Sequence, residues 1–266
     1  DMILASTLPD GSISYLYFAD RVNQLPLGVL GIAISTALLP ILSQHVKDRN
    51  VIEANASISE SIKFGIYFSI PALVGIFLLS NQIISFLFFR GEFSLEDSKL
   101  TSLALTALCF GLPAFILIKI LVVPFFANED TKTPIKVSVF SMLLNLILNL
   151  ILIEEFLHVG LAIATSVSAW VNALILFYIL IKKLGYELDK SIIDDTLKIL
   201  FSAFIMACSL FLMKYLETIN FAVFNFSGRN NLLLIIKILI GGIIYLFVSH
   251  FIGIRYIDFK KWWKKN

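Results

Sequence analysis

The adjacent pair Asp20-Arg21 stands in an otherwise apolar part of the chain. A charge near the middle of a bilayer costs several kcal/mol by most estimates, so a pair of charges there needs an explanation. One explanation is a self-neutralising pair at a helix start, with Asp20 favoured by the positive end of the helix dipole. The other is a guanidinium facing a water-filled cavity. Its paired donors match phosphate oxygens, so the ligand would be a phosphorylated anion. Residue type alone leaves both open. Lys119 lies deep in a second apolar run, ahead of Pro124, and snorkelling towards a membrane face about two turns away is the simpler account of it. Lys214 is three residues from Glu217, while Lys237 has no acidic residue close in sequence. Asn145 and Asn149 are four apart and share one helix face. Amides on a membrane helix commonly tie it to a neighbour. With Thr165 and a carboxylate, their oxygens would instead form a shell for a small hard cation.

These residues must be positioned by elements that live in lipid. Of 266 residues, 15% are charged and 58% hydrophobic, and the mean hydropathy is +0.89. A soluble domain carries about 25% charged residues, so this chain cannot cover itself with a water-facing surface. That excludes a soluble enzyme and a nucleic-acid binder. Cys109 and Cys208 both sit in apolar runs and only three histidines occur, so neither a disulfide framework nor a Cys/His metal spacing is present. Stretches 22–44, 64–89, 100–126, 134–153, 157–181, 197–216 and 232–254 are each long and apolar enough to span a bilayer. Their interiors are continuously apolar, without the alternation of a barrel strand, so the class is an all-α polytopic membrane protein. Turn residues separate them, as in Pro9-Asp10-Gly11, Lys47-Asp48-Arg49-Asn50, Arg90-Gly91-Glu92 and Asn128-Glu129-Asp130. Residues 51–63 read as a short interfacial helix leading into the next span. Residues 1–8 are too short to cross and read as the end of a helix that starts upstream, so the chain is expected to be a piece of a longer protein. Gly28, Gly31, Ala33 and Ser35 allow close helix contact, and Pro26, Pro40, Pro71, Pro113 and Pro124 are positioned to kink spans.

Loop charge sets an expected orientation. If successive loops alternate sides, Lys47, Arg49, Lys132, Lys136, Lys182, Lys183, Lys190, Arg255, Lys260, Lys261, Lys264 and Lys265 share one side. Only Arg90, Lys99 and Arg229 fall on the other, with Glu92, Glu96, Asp97, Glu154, Glu155 and Glu217. The positive-inside rule then puts the basic side and the C-terminus in the cytoplasm, with Trp262 and Trp263 as interfacial anchors.

Gly11 to Arg21 (GSISYLYFADR), followed by Leu25 to Pro40 (LPLGVLGIAISTALLP), closely resembles the MurJ/MviN family of lipid II flippases. Lys119 to Pro134 (KILVVPFFANEDTKTP) is similar to that family's loop before its eleventh helix, and Arg90 to Phe93 (RGEF) to the turn after its ninth. The resemblance runs through the whole chain but reaches only the family's second half. It implies a fold of the multidrug/oligosaccharidyl-lipid/polysaccharide exporter superfamily, whose two six-helix lobes enclose a cavity, with an extra C-terminal helix pair forming a lipid-tail groove. On that pattern residues 1–190 are second-lobe helices, from the end of helix seven through helix twelve. Residues 191–266 are the extra pair with a basic tail, and the N-terminal lobe is missing.

The implied function is translocation of undecaprenyl-pyrophosphate-linked peptidoglycan precursor across the bacterial inner membrane by alternating access, in the service of cell-wall synthesis. No covalent catalysis is required. Arg21 corresponds to the family's cavity arginine in this lobe and Asp20 to its neighbour. Gln24 stands where an acidic residue is common, and Lys119 completes the expected substrate-binding set. Some family members resemble cation-coupled transporters. Asp1, Asn145, Asn149 and Thr165 fall at their ligand places, with Asn149 where an aspartate occurs, so a coupling sodium ion is the one cofactor the resemblance suggests. The expected partners are lipid II, membrane lipid and the missing lobe, with no nucleic acid. The competing readings are an exporter of another lipid-linked oligosaccharide and, from a different class, a polyprenyl-phosphate-dependent membrane enzyme. The enzyme would need acidic catalytic groups, and Glu92, Glu96 and Asp97 read better as a solvated turn.

Orientation is directly testable. Single cysteines at positions 96 and 227 of the whole protein should react with an impermeant thiol reagent in intact cells, while those at 132 and 183 should not. Labelling of position 132 from outside would reverse the assigned topology.

Overall fold

The computed structural model describes residues 2–187, 189–220 and 229–254, and every regular element in them is helical. By its contacts the chain divides into two compact units, Asp1–Asp189 and Lys190–Asn266.

In the first unit, α1 (Met2–Ala5) is followed by a turn that ends on Gly11, whose φ of +93° suits glycine. Helix α2 (Ser12–Pro26) starts there, ten residues before the expected span start at Val22. Pro26 has no N–H to give the preceding turn, and the ladder resumes through a π-helical turn, Leu27–Ile32, into α3 (Ala33–Lys47). Ser12–Lys47 is thus one run of 36 residues, about 54 Å at helical rise and well beyond a hydrocarbon core of about 30 Å. Helix α4 (Val51–Phe88) is also continuous, capped by Asn50, whose side chain accepts from the Glu53 N–H. The separate interfacial helix expected at 51–63 is absent, because no glycine or proline interrupts the chain before Gly65.

The expected span 100–126 is a broken one. Helix α5 (Leu95–Cys109) opens with a capping box between Ser94 and Asp97, then bends by 40° into α6 (Leu112–Leu121) and α7 (Val123–Ala127). Pro113 withholds an N–H at the bend, and the neighbouring carbonyls find side-chain donors instead. Ser166 Oγ donates to the Ala107 carbonyl at 2.7 Å and Trp170 Nε1 to that of Phe110 at 2.9 Å. A Cβ at Gly111 would sit 2.9 Å from Ser166 Oγ, so the small residue is what lets that donor in.

Helix α8 (Lys132–Leu184) has 53 residues and one non-helical position, Leu157, at φ +51° and ψ −132°. Its arms fold against each other as a hairpin: Asn145 reaches Thr165 and Ser168, and Lys183 reaches Asp130 and Thr133. The loop expected around Glu154-Glu155 is therefore helical up to a one-residue reversal. The lysine clamp closes the open end of the hairpin and holds the Asp130 carboxyl down at about 2, through the hydrogen bonds from Lys183 and then Thr133. Outward-facing Phe140, Leu143, Ile147 and Ile151 on the first arm are exposed, the surface a bilayer would solvate.

In the second unit, α9 (Lys190–Asn220) packs on α10 (Arg229–Phe251), burying Ile199, Ala203, Met206 and Leu210 with Leu234 and Tyr245. Phe201, Phe204, Phe211, Phe247 and Phe251 point outward. Lys237 is 1% exposed, so it does not snorkel. Trp262 and Trp263 lie outside the described residues. The chain is a multi-pass membrane protein built wholly from helices and turns across its described residues.

The tightest element is the hairpin. A Cβ at Gly160 would lie 2.4 Å from the Leu152 carbonyl oxygen, whereas one at Gly242 meets nothing within 4 Å. Gly160→Val should cost a few kcal/mol and lower both folded yield and thermal midpoint. Gly242→Ala should be neutral or slightly stabilising in the same melting assay.

Candidate functional site

Helix α2 buries Leu16, Ala19, Val22 and Asn23, and its main packing partner is α5. The other face is left open and carries Ser14, Tyr17, Arg21 and Gln24, continued by Gly28 of the π-helical turn, each exposed. Spacings of three and four residues bring these onto one stripe.

Arg21 points along this stripe. Its Nη1 donates to Gln24 Oε1 at 3.4 Å, and its guanidinium carbon lies 4.7 Å from the centroid of the Tyr17 ring. Gln24 Nε2 in turn donates to Asp20 Oδ2. The Gln24 amide thus stands between the two charges, giving its N–H to the carboxylate and its carbonyl to the guanidinium. This corrects the self-neutralising pair at a helix start. Residues adjacent in a helix do not face each other, and Asp20 lies eight residues beyond the first helical residue, past the turn where the dipole acts. Among the described residues Arg21 makes no ion pair. Tyr17 is a functional neighbour that sequence reasoning missed, although its position four residues before Arg21 was the signal available.

Lys119 is exposed on α6 and its stem lies along the π-helical turn, with Cγ 3.5 Å from where a Gly31 Cβ would be. Gly31 is ten residues beyond Arg21, about 15 Å along the helix. The structure therefore gathers Asp20, Arg21 and Gln24 and leaves Lys119 apart from them.

The amide set does converge. Asn149 Nδ2 donates to Asn145 Oδ1 at 3.0 Å, and Asn145 Nδ2 reaches Thr165 Oγ1 and Ser168 Oγ, each at 3.4 Å. Ser168 was not foreseen, though it shares a helix face with Thr165. Asp1, the expected charged ligand, lies outside the described residues. No group of three or more His, Cys, Asp or Glu that could hold a metal exists among the described residues. The described part of the set is neutral, and its Asn145 carbonyl already accepts from Asn149. That donor set fits a tie between the hairpin arms.

Comparison with known proteins places this geometry. The family described as lipid II flippase MurJ matches residues 1–252. A probable lipid II flippase MurJ of Rickettsia prowazekii is 36% identical over 254 residues, which is 95% of this chain and 48% of the relative. One from Haemophilus influenzae is 37% identical over 83% of this chain and 44% of its own. The solved structure titled lipid II flippase MurJ, inward closed conformation, superposes with a TM-score of 0.77 at 30% identity, covering 94% of this chain and 49% of that one. The chain spans about half the length of the relatives it matches.

A thermal melt of the whole protein separates tie from cation site. Asn145→Ala should lower the midpoint equally in sodium and potassium chloride, by an amount set by about 1 kcal/mol per lost interhelical bond. A loss confined to sodium chloride would assign an ion to this network.

Proposed function

Because the chain belongs to the lipid II flippase MurJ family, we propose that it is the half of a flippase that carries the second cavity wall. The whole protein moves lipid II, undecaprenyl-pyrophosphate-linked disaccharide-pentapeptide, from the cytoplasmic to the periplasmic leaflet of the inner membrane by alternating access. The observation that carries this reading is Arg21, a permanent cation on an unpacked helix face that makes no ion pair among the described residues. Arginine keeps its proton even where solvation is poor, and its planar fork takes two phosphate oxygens at once. In a cavity of low dielectric that attraction is several times its value in water. The Arg21–Gln24 bond at 3.4 Å is long and costs little to give up when phosphate arrives. Asp20 stays on Gln24 and does not compete for the ligand. Lys119, on α6 with its stem against the π-helical turn of that run, adds positive potential for the rest of an anionic cargo.

The facing wall belongs to an N-terminal lobe, and the basic loops at Lys47, Lys132 and Lys183 support a cytoplasmic C-terminus. A coupling monovalent cation is a second reading, supported by the convergence of Asn145, Asn149 and Thr165 and requiring Asp1 for its charge.

Complementation in cells depleted of their own flippase, with abundance checked by blot, tests the role of Arg21 in the whole protein. Arg21→Ala should abolish growth, and Arg21→Lys should impair it without loss of membrane insertion, because charge is kept and the fork is not. Normal growth of Arg21→Ala at normal abundance would reduce Arg21 to a structural partner of Gln24.

A further inference from the structure

A cavity of about 360 Å³ opens at the other end of the α2–α3 run, where the basic loops gather. Its apolar wall includes Leu42, Val46, Ile58 and Leu180, and its polar rim His45, Arg49, Asn55 and Asn128. None of its lining residues is acidic. Asp189, whose charge reaches Tyr186 of the lining, pairs with Lys63 at 3.7 Å, and Asp130 is held by Lys183 and Thr133, while Asp48 and Glu129 are exposed and outside the lining. Among the described residues neither Arg49 nor His45 makes an ion pair or a side-chain hydrogen bond.

Arg49 is placed there at a cost. It follows the last residues of α3 with φ +55°, while Asn50 N–H bonds back to the His45 carbonyl at 2.9 Å. Glycine is the ordinary residue at such a helix-ending position, and a side chain there is strained. A strained arginine at the mouth of a cavity, with no partner of its own, indicates a use for its charge.

We propose that this cavity binds an anionic phospholipid of the leaflet that meets the basic end, with the phosphate on Arg49. The glycerol-side oxygens fall to the amide of Asn55 and to the second N–H of the Asn128 amide, whose first is given to the Pro124 carbonyl, and the upper part of one acyl chain covers Leu42, Val46 and Leu180. One fixed cation, neutral amide donors and an apolar wall at a membrane border match a phosphodiester with a hydrocarbon tail. A soluble anion would leave the apolar wall unused, and a zwitterionic lipid would bring its own cation to Arg49. The site is distinct from the Arg21 stripe, since the helical run from Arg21 to Lys47, about 39 Å, separates the two. It needs only that the chain is embedded in a bilayer and is independent of what the protein transports.

The test is the thermal midpoint of the whole protein in neutral detergent micelles, with phosphatidylglycerol, phosphatidylcholine or inorganic phosphate added in turn. Phosphatidylglycerol should raise the midpoint by a few degrees and the other two should not. Arg49→Gly should match or exceed the wild-type midpoint without lipid, because the backbone strain is relieved, and should lose the phosphatidylglycerol-dependent rise. Ala54→Phe, which fills the cavity with the charge intact, should lose it as well. The proposal is overturned if Arg49→Gly or Ala54→Phe keeps the full rise. It is equally overturned if phosphatidylcholine gives the same rise, or if inorganic phosphate alone reproduces it.

Discussion

Hydrocarbon offers no hydrogen-bond partner, so an interrupted helix has to be repaired from within the protein, by a change of helical pitch as after Pro26 or by a side chain from a neighbour. The bend between α5 and α6 shows the consequence. Pro113 withholds a donor, and Ser166 and Trp170 of α8 supply donors to carbonyls at the bend. His158, near the start of the same arm, bonds the Leu100 carbonyl at 3.0 Å while its ring packs on Tyr15. These side chains therefore fasten the second arm of the hairpin to the backbone of α5 along much of its length. The fold of the first unit follows from where backbone groups were left unpaired, as much as from where apolar surface was available.

The same constraint sorts the charges. Asp130, Lys183 and Thr133 form a clamp at the hairpin's open end, outside the spans. Tyr186, in the loop that follows the hairpin, shares a 2.7 Å hydrogen bond with Ser59, and its burial raises the phenol above its ordinary range. Inside the spans of this unit, Arg21 and Lys119 remain on exposed faces, where only an aqueous cavity or a ligand can serve them. Asp20, half-buried beside Arg21, is served by an amide of its own helix.

Much of this was legible in the residues. Continuous apolar runs specify helices, and the prolines at 113 and 124 mark where one of them breaks. The hairpin was legible only in part. Glu154 and Glu155 mark polarity, which is a property of the membrane border, whereas the reversal at Leu157 carries neither glycine nor proline and is enforced by tertiary packing around Gly160. Residues 51–63 are polar on one side, which describes an interfacial helix, but continuity into α4 depends on the absence of a breaker. At the candidate site, Asp20-Arg21 reads as a pair because adjacency in sequence is conspicuous. Helical geometry makes position 24 the neighbour of both, and that amide reorganises the local electrostatics. The set around Asn145 was found by spacing, while its neutral character emerges only when the direction of each amide is known.

The alternating access proposed for the whole protein requires a lobe that moves as one body while its cavity face changes partners, and the two halves of that requirement would sit on different bonds here. The core contacts of α5 with α8 are bonds to backbone carbonyls, which cannot be exchanged without breaking a helix. The contacts of Arg21 are with Gln24 and Tyr17 of its own helix, a long hydrogen bond and a ring face worth about 0.5–1 kcal/mol at an exposed site. Releasing them disturbs no interhelical packing. On the proposed reading, a ligand phosphate captures the guanidinium by side-chain rotation alone, and the binding energy is left for moving the lobe and not for unpacking it.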